Sequence, residues 1–558
     1  MQKRILLVAT YEKKSRSFLK PQGGQISIRK YLERKMKEQV FIEITDPQID
    51  GVNNTREVIK EQWDFIGFYT TYPTLLNSIE LMECARMYND ESIIIVGGPG
   101  AYYKRIFDIS PADIIIEGEG EKAMEYIIQS CSENKLDKKT AESICKQISG
   151  ISIRIIEPQV HIIKSYHICR ECNLICGNTE LNNLMLMTEW ERELHKKYIK
   201  WTKENLNHIY GFPVFFVRGC ASIGCKFCSS YNAFSSKKGI RVCDAKVAFE
   251  LIKQISRIFP ECTDILVEDD NFLSNIYWVK EFCRYVIDAK ANGDISSKIE
   301  FIVKTRVDQI NEENLTLLKK IGVKQLNVGI ESVSESVLLE LNKTNNVEQY
   351  LLCTRTLINK IKSYDIKIHC YLIFFTPNST LNDFIDNIEF TCLLLYNKME
   401  VSCYSTLLAF PGSNYEKDWE EKPEIVHWKT VRNPLYNSSR HEIIENKFKH
   451  ETYSFLPYEI DMPEYMEIND KCLRKIYEKV EKDFDKLWDI YAVKKDWKVR
   501  TSYRSTYLRV LLYIRELKKI CKEEKVESYN FQLAKCELLL DKMDNDLFEV
   551  IEENMACE

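Results

Sequence analysis

Residues 217–228, VRGCASIGCKFC, set Cys220, Cys225 and Cys228 within nine residues in a C-x4-C-x2-C pattern. Three thiolates on one short loop can each hold one iron of a cubane cluster, leaving a fourth iron without a protein ligand. Structural zinc asks for a fourth Cys or His nearby, and the next thirty residues offer only Cys243. Three ordinary buried thiols are the remaining reading, and their close spacing argues against it.

The chain around this loop alternates strand and helix patterns. Apolar, β-branched runs predict strands over 214–218, 265–268, 301–304, 325–330, 366–375 and 401–408. Helical periodicity fills the gaps, for example over 245–258 and 312–321. Six such units predict a parallel β/α barrel that is incomplete, a partial (β/α)6 barrel of the TIM type. The cysteine loop follows the first strand, at the strand ends where such barrels carry their chemistry.

A second alternating series precedes it. Strands are predicted over 5–9, 65–69, 93–96 and 114–116, with helices over 26–37 and 75–87. Fully apolar strands of this kind predict a doubly wound, Rossmann-like parallel sheet. Two of them end in glycine-rich turns, Gly97-Gly-Pro-Gly100 and Glu117-Gly-Glu-Gly-Glu121. Those turns fall on the edge where such sheets bind ligands. No G-x-G-x-x-G opens a helix here, so a dinucleotide fingerprint is absent.

The overall expectation is an α/β chain with a Rossmann-like domain at 1–140, a cysteine-rich linker at 141–208 and the barrel at 209–425. A helical domain is expected at 426–558, since glycine and proline vanish beyond Pro463 and long charged amphipathic patterns follow. The linker holds a short β-rich piece, 151–156, and a second cysteine group, Cys169, Cys172 and Cys176, near His161 and His167. That group fits a zinc knuckle, an auxiliary iron–sulfur cluster or free thiols, and spacing does not choose among them.

Composition sets the outer bounds. The 558 residues carry 45% hydrophobic and 29% charged side chains, ordinary for a globular protein. A net charge of -5, spread along the chain, implies neither a nucleic-acid nor an anionic-membrane surface. No apolar run approaches the roughly 18 residues of a membrane span. The first residues read as a strand instead of a signal peptide, which predicts a cytoplasmic protein. Twenty cysteines in a reducing compartment point to metal or redox chemistry wherever they cluster.

RGC-x4-C-x-F-C after a first barrel strand resembles the radical S-adenosylmethionine (SAM) enzymes, whose usual spacing is C-x3-C-x2-C. The extra residue falls among Ala221, Ser222, Ile223 and Gly224, where small residues and a glycine can absorb a bulge. The resemblance continues through Val267-Glu-Asp-Asp-Asn-Phe272, Lys304-Thr-Arg306, Gly329-Ile-Glu-Ser332 with Leu341-Asn-Lys343, and Phe410-Pro-Gly-Ser413. It departs at Phe375-Thr-Pro-Asn-Ser-Thr380, where the family has a G-x-P-G-E-T stretch. The resemblance implies a [4Fe-4S] cluster on Cys220, Cys225 and Cys228 that cleaves SAM to a 5'-deoxyadenosyl radical. It implies SAM contacts from Phe227, Glu268, Asp269, Asp270, Arg306, Glu331 and Ser332. It also implies an external one-electron reductant such as flavodoxin or ferredoxin.

A doubly wound domain ahead of such a barrel resembles the cobalamin-binding subfamily, its methylases included. That resemblance implies cobalamin beside Thr70, Gly97, Gly98, Gly118, Glu119 and Gly120. No Asp-x-His-x-x-Gly appears, so the sequence gives no support for a histidine on cobalt. The implied reaction is methylation of an unactivated carbon in a small-molecule or peptide substrate. Radical rearrangement, ring contraction or oxidation without methyl transfer is a second reading, and a non-catalytic corrinoid-binding protein a third. RNA methylthiolation is disfavoured by the helical C-terminal pattern.

Overall fold

The computed structural model describes residues 2–11, 20–71, 74–103, 106–131, 136–148, 150–156, 163–167, 176–206, 210–222, 224–230, 239–408, 410–416, 422, 426–432, 459–494, 502–523 and 527–541. His161, Cys169 and Cys172 of the linker lie outside them, as does the side chain of His167.

Seven strands form the first sheet: β1 (Lys3–Val8), β2 (Val40–Thr45), β3 (Phe65–Tyr69), β4 (Ile93–Gly97), β5 (Ile114–Ile116), β6 (Ile151–Ile156) and β7 (Ile163–His167). Their order is β2-β1-β3-β4-β5-β6-β7, parallel through β5 and antiparallel at β6 and β7. Strand order reverses beside β1, which creates the crevice typical of doubly wound sheets. Ile5, Leu7, Ile93 and Ile95 pack into one core and Leu6, Val8, Ile94 and Val96 into another, so both sheet faces are covered. That double burial explains why these strands read as unbroken apolar runs. The sequence reading missed β2 and β7.

Six parallel strands form the second sheet in the order β8, β11, β12, β13, β14, β15. They are β8 (Phe212–Val214), β11 (Asp264–Val267), β12 (Glu300–Arg306), β13 (Val323–Glu331), β14 (Lys367–Phe375) and β15 (Glu400–Thr406). Sequential order with all strands parallel is a partial barrel, as expected. Local signals place its helices. Asp244, Asn275, Asn311 and Asn346 each accept a backbone N–H at the start of a helix. Gly293 and Gly322 end two of those helices at φ 75° and 89°.

The expected strand over 214–218 is two pieces. After β8 the chain leaves the sheet, and β9 (Val217–Arg218) pairs antiparallel with β10 (Arg241–Val242). The cause is Asp269, whose buried Oδ1 accepts from the backbone N–H of both Phe216 and Val217, at 2.7 and 3.0 Å. This turns the cysteine loop across the barrel mouth.

The C-terminal region holds the expected helices, Lys471–Lys494, Ser502–Glu523 and Asn530–Asp541. Before them comes an unexpected antiparallel pair, β16 (Val426–Arg432) and β17 (Glu459–Met466). Its Pro463 sits at a register shift opposite Trp428, the kind of position a strand proline tolerates. The helices share the barrel's core. Tyr513 meets Phe374, Phe375 and Phe384 edge-on at 5.1–5.7 Å, and Thr506 donates to the Val401 carbonyl at 2.7 Å. They therefore cover the β15 side of the sheet.

Candidate functional site

Cys220, Cys225 and Cys228 lie on the loop between β9 and β10, at the C-terminal ends of the barrel strands; Cys225 is buried and the other two half-buried. The loop is held from several directions. Ser222 Oγ accepts from Gly224 N at 3.1 Å and lies 3.1 Å from Cys225 Sγ. Gly219 and Gly224 take φ of 103° and 99°, which a side chain would resist. The serine hydroxyl thus holds Gly224 and Cys225 close to Ser222. Asn342 donates to the Gly224 carbonyl at 2.9 Å, and Lys226 N donates to the Leu341 carbonyl at 3.0 Å.

Polar donors approach the sulfurs. Asn271 Nδ2 lies 3.7 Å from Cys220 Sγ, and Arg306 Nη1 lies 3.9 Å from Cys225 Sγ. Burial raises the Cys220 thiol pKa, and the Asn271 and Arg306 donors oppose that. Three cysteines with cationic and amide donors around them suit thiolate ligands.

Arg306, at the end of β12, joins this loop to the next strand. It donates to Asp308 at 2.8 and 3.0 Å and to the Lys343 carbonyl at 2.7 Å. Glu331 ends β13 with φ 66°, beside a break in register with β14, and pairs with Lys343 Nζ at 2.8 Å. Both side chains are buried. Burial opposes the Lys343 charge, but Glu331 together with Tyr350 and Cys225 holds its ammonium well above the ordinary lysine range. Phe227 packs with Val337, Leu341 and Ile373, and its ring lies 5.7 Å from Lys343 Nζ. The cysteine loop, Arg306, Glu331 and the Asn342-Lys343 turn are therefore one constellation.

The other expected SAM contacts divide. Glu268 stands between Lys304, at 2.8 Å, and Lys20. Glu268 and Asp270 face a cavity. Asp269 is turned away into the backbone of Phe216 and Val217, and burial pushes its pKa up to about 7. Ser332 is fully buried and donates to Asn387 Oδ1 at 3.0 Å. The departing stretch 375–380 is a closed turn, in which Thr376 and Asn378 both bond to Glu340.

That cavity, of about 500 Å³, runs between the two sheets. Gly97, Gly98, Gly118, Glu119 and Gly120 line one side, and Phe215, Arg218, Ser229 and Glu268 the other. A Cβ on Gly97 would meet nothing within 4 Å, whereas one on Gly98 would lie 2.5 Å from the Thr70 carbonyl. Gly98 has φ 86°, so its turn requires glycine. Thr70 supports that turn from behind: its hydroxyl and N–H both donate to the Gly97 carbonyl, and it is fully buried.

The second glycine turn anchors the sheets to one another. Glu119 accepts from Arg241 at 2.6 Å and lies 3.2 Å from Arg218, while Glu121 accepts from Arg218 at 2.7 Å and from Ser27 at 2.5 Å. Burial opposes ionisation of Glu121, but the Arg218 guanidinium holds its carboxyl below the usual range. Cys176 is buried here, its N–H donating to Glu119 and its carbonyl accepting from Arg241. Glu119 is thus engaged by arginines as well as facing the cavity. Arg218 and Arg241 were missed as site residues, whereas Lys343 was read as part of the Leu341-Asn-Lys343 motif. Arg218 precedes the first cysteine, but its partners lie about a hundred residues away.

Residues 214–391 match the model of the Radical SAM superfamily, and this part of the chain is a radical SAM domain. The fold extends the likeness to cobalamin-dependent radical SAM enzymes. Over 99% of this chain and 81% of the other, it resembles the radical enzyme OxsB with aqua-cobalamin and SAM bound, with a TM-score of 0.62 at 15% identity. Over 84% of this chain and 88% of the other, it resembles the methyltransferase TsrM from Kitasatospora setae with cobalamin and a [4Fe-4S] cluster, with a TM-score of 0.60 at 13% identity.

Two curated proteins are related in sequence. Bacteriochlorophyllide d C-12(1)-methyltransferase of Chlorobaculum tepidum is 21% identical over 217 residues, 39% of this chain and 44% of that protein. Anaerobic magnesium-protoporphyrin IX monomethyl ester cyclase of Rubrivivax gelatinosus is 22% identical over 291 residues, 51% and 47% of the two chains. The chain spans about half the length of the curated relatives it matches. No helix among the described residues is long and apolar enough to cross a membrane.

Proposed function

We propose that the protein is a cobalamin-dependent radical SAM methyltransferase acting on an unactivated carbon of a small-molecule or peptide substrate. The observation that carries this reading is the cavity between the sheets. Glycine turns bound it on one side, and the barrel mouth that bears the cysteine loop bounds it on the other. A flat macrocycle needs backbone to approach closely, and the open space above Gly97 permits it. The apolar residues Leu7, Phe68, Ile95 and Ile116 beside the turns suit such a face.

Cys220, Cys225 and Cys228 would hold a [4Fe-4S] cluster, and the cavity a corrinoid. Bound there, the cluster supplies an electron for SAM cleavage and the corrinoid carries the methyl group. The protein's own residues orient and shield. Arg306 and Asn271 direct donors at the cysteine sulfurs and stabilise negative charge there. The Glu331–Lys343 pair and Phe227 offer a carboxylate, an ammonium and an aromatic face to the zwitterionic methionine and adenine of SAM. The Arg218 bonds to Glu119 and Glu121 keep the two cofactor sites at a fixed separation. An external one-electron reductant supplies the electrons. The working boundaries are 1–140 for the corrinoid domain, 209–425 for the barrel and 426–558 for the C-terminal region.

Anaerobic assays with and without corrinoid test the reading. Methyl transfer predicts S-adenosylhomocysteine and 5'-deoxyadenosine formed together, with one CH2 added to the product. Formation of 5'-deoxyadenosine with no corrinoid requirement contradicts it. The similarity to a cyclase favours one alternative, radical oxidation or ring formation without methyl transfer, which the product mass separates.

A further inference from the structure

The barrel sheet has two unlike faces. On one, Phe301, Val303, Leu326, Val328, Ile368 and Cys370 are buried in the core. Register pairs the residues of the other face level by level: Lys304, Asn327, His369 and Glu400; then Arg306, Gly329, Tyr371 and Ser402; then Ile373 and Tyr404. Each level is about 6–7 Å above the last. The middle level contains Arg306, the residue beside Cys225. SAM-directed groups occupy the β12 and β13 side, which leaves the β14 and β15 side for a second molecule.

Around Tyr371 and Tyr404 that side is aromatic and polar, and its charged residues, Glu400 level with His369 and Lys367 one level below, lie at the foot of the strands. His369 stacks on Tyr371 with centroids 4.8 Å apart and planes 16° from parallel, and His369 Nε2 lies 2.8 Å from Ser402 Oγ. Burial lowers the His369 pKa, which favours the neutral ring. Tyr404, one level nearer the mouth, is 49% exposed. Neither the Tyr371 nor the Tyr404 hydroxyl has a hydrogen-bond partner among the described residues. Of the cations on this face, Lys304 is matched by Glu268 and Arg306 by Asp308, while the exposed Lys367 lies one level below His369. Level with Tyr371 the cations are Arg306 and Lys343, and each is ion-paired, with Asp308 and Glu331 respectively.

We propose that Tyr371 and Tyr404, backed by His369 and Ser402, select the substrate, and that they take an uncharged planar ring with hydrogen-bonding groups at its edge. Tyr404 supplies a stacking face and the two phenols donate to or accept from the ring's rim. This assignment rests on the radical SAM reading of the barrel, which places the reacting carbon near the Arg306 level.

Saturation-transfer NMR on the anaerobically reconstituted full chain, with SAM present, tests it. Indole serves as the neutral planar probe, benzoate as the planar anion and cyclohexanecarboxamide as the neutral non-planar control. Indole is expected to bind about tenfold more tightly than either, and Tyr404→Leu to weaken it about tenfold. Tyr404→Phe, which keeps the ring, should retain most of the affinity, and Tyr371→Phe should lose only the hydroxyl's share. Equal binding of the three probes, or indole binding unchanged in Tyr404→Leu, overturns the proposal. Wild-type protein that cleaves SAM without selecting indole contradicts this assignment alone. Wild-type protein that selects indole and never cleaves SAM contradicts the radical reading instead.

Discussion

Arg218 Nη2 donates to Glu121 Oε1 at 2.7 Å, joining the residue that leads into the cysteine loop to the second glycine turn of the other sheet. Arg218 also reaches Glu119, which Arg241 holds from the opposite side. The second glycine turn and the cysteine loop are therefore linked by a buried network instead of a flexible hinge.

Removing one partner from such a network leaves a buried charge uncompensated. Arg218→Met should lower stability by about 3 kcal/mol, read by chemical denaturation of the anaerobically purified protein. Arg218→Lys should rescue little of that loss, since one ammonium cannot bridge two carboxylates as a guanidinium fork does.

The two glycines that open the first turn should respond differently. Gly98→Ala forces a Cβ against the Thr70 carbonyl and the Tyr69 ring at positive φ, so it should cost about 1–3 kcal/mol and abolish corrinoid binding. Gly97→Ala has free space on the cavity side. It should leave the unfolding transition in place while weakening corrinoid binding, followed by absorbance titration.

A buried carboxylate elsewhere sets a pH dependence. Asp46 accepts from Tyr198 and from Gln48 N, and burial pushes its pKa up to about 7. The folded state therefore holds a proton that the unfolded state releases near pH 4. The Asp46 contribution is fully present below about pH 4 and is lost as pH rises towards 7. Asp46→Asn should remove that component. The stability difference between variant and wild type should then shift in the variant's favour from pH 4 to 7, measured by denaturant titration at each pH.

Much of this architecture was legible because it rests on local signals. The apolar runs of β3 and β5 gave their bounds directly, and the Asn and Asp caps fix where barrel helices begin. What escaped was set by distant partners. The chain bends after Val214 because Asp269, more than fifty residues on, captures two backbone N–H groups. The Asp-Asp pair that looks like two cofactor ligands is split for the same reason, with Asp270 facing the cavity and Asp269 turned inward. Ser332 likewise turns to Asn387, a residue on another element. Strand β17 was missed because its Pro463 and charges interrupt the alternation by which a strand is read.

The central claim is that the loop at 217–228 binds a cluster that cleaves SAM. Anaerobic reconstitution with iron and sulfide, followed by a 5'-deoxyadenosine assay under strong reductant, tests it most directly. Wild-type protein should hold about four irons and release 5'-deoxyadenosine, and Cys225→Ala should abolish that release. A wild-type protein that binds the full iron complement yet leaves SAM intact, or a Cys225→Ala variant that still cleaves it, would contradict the account.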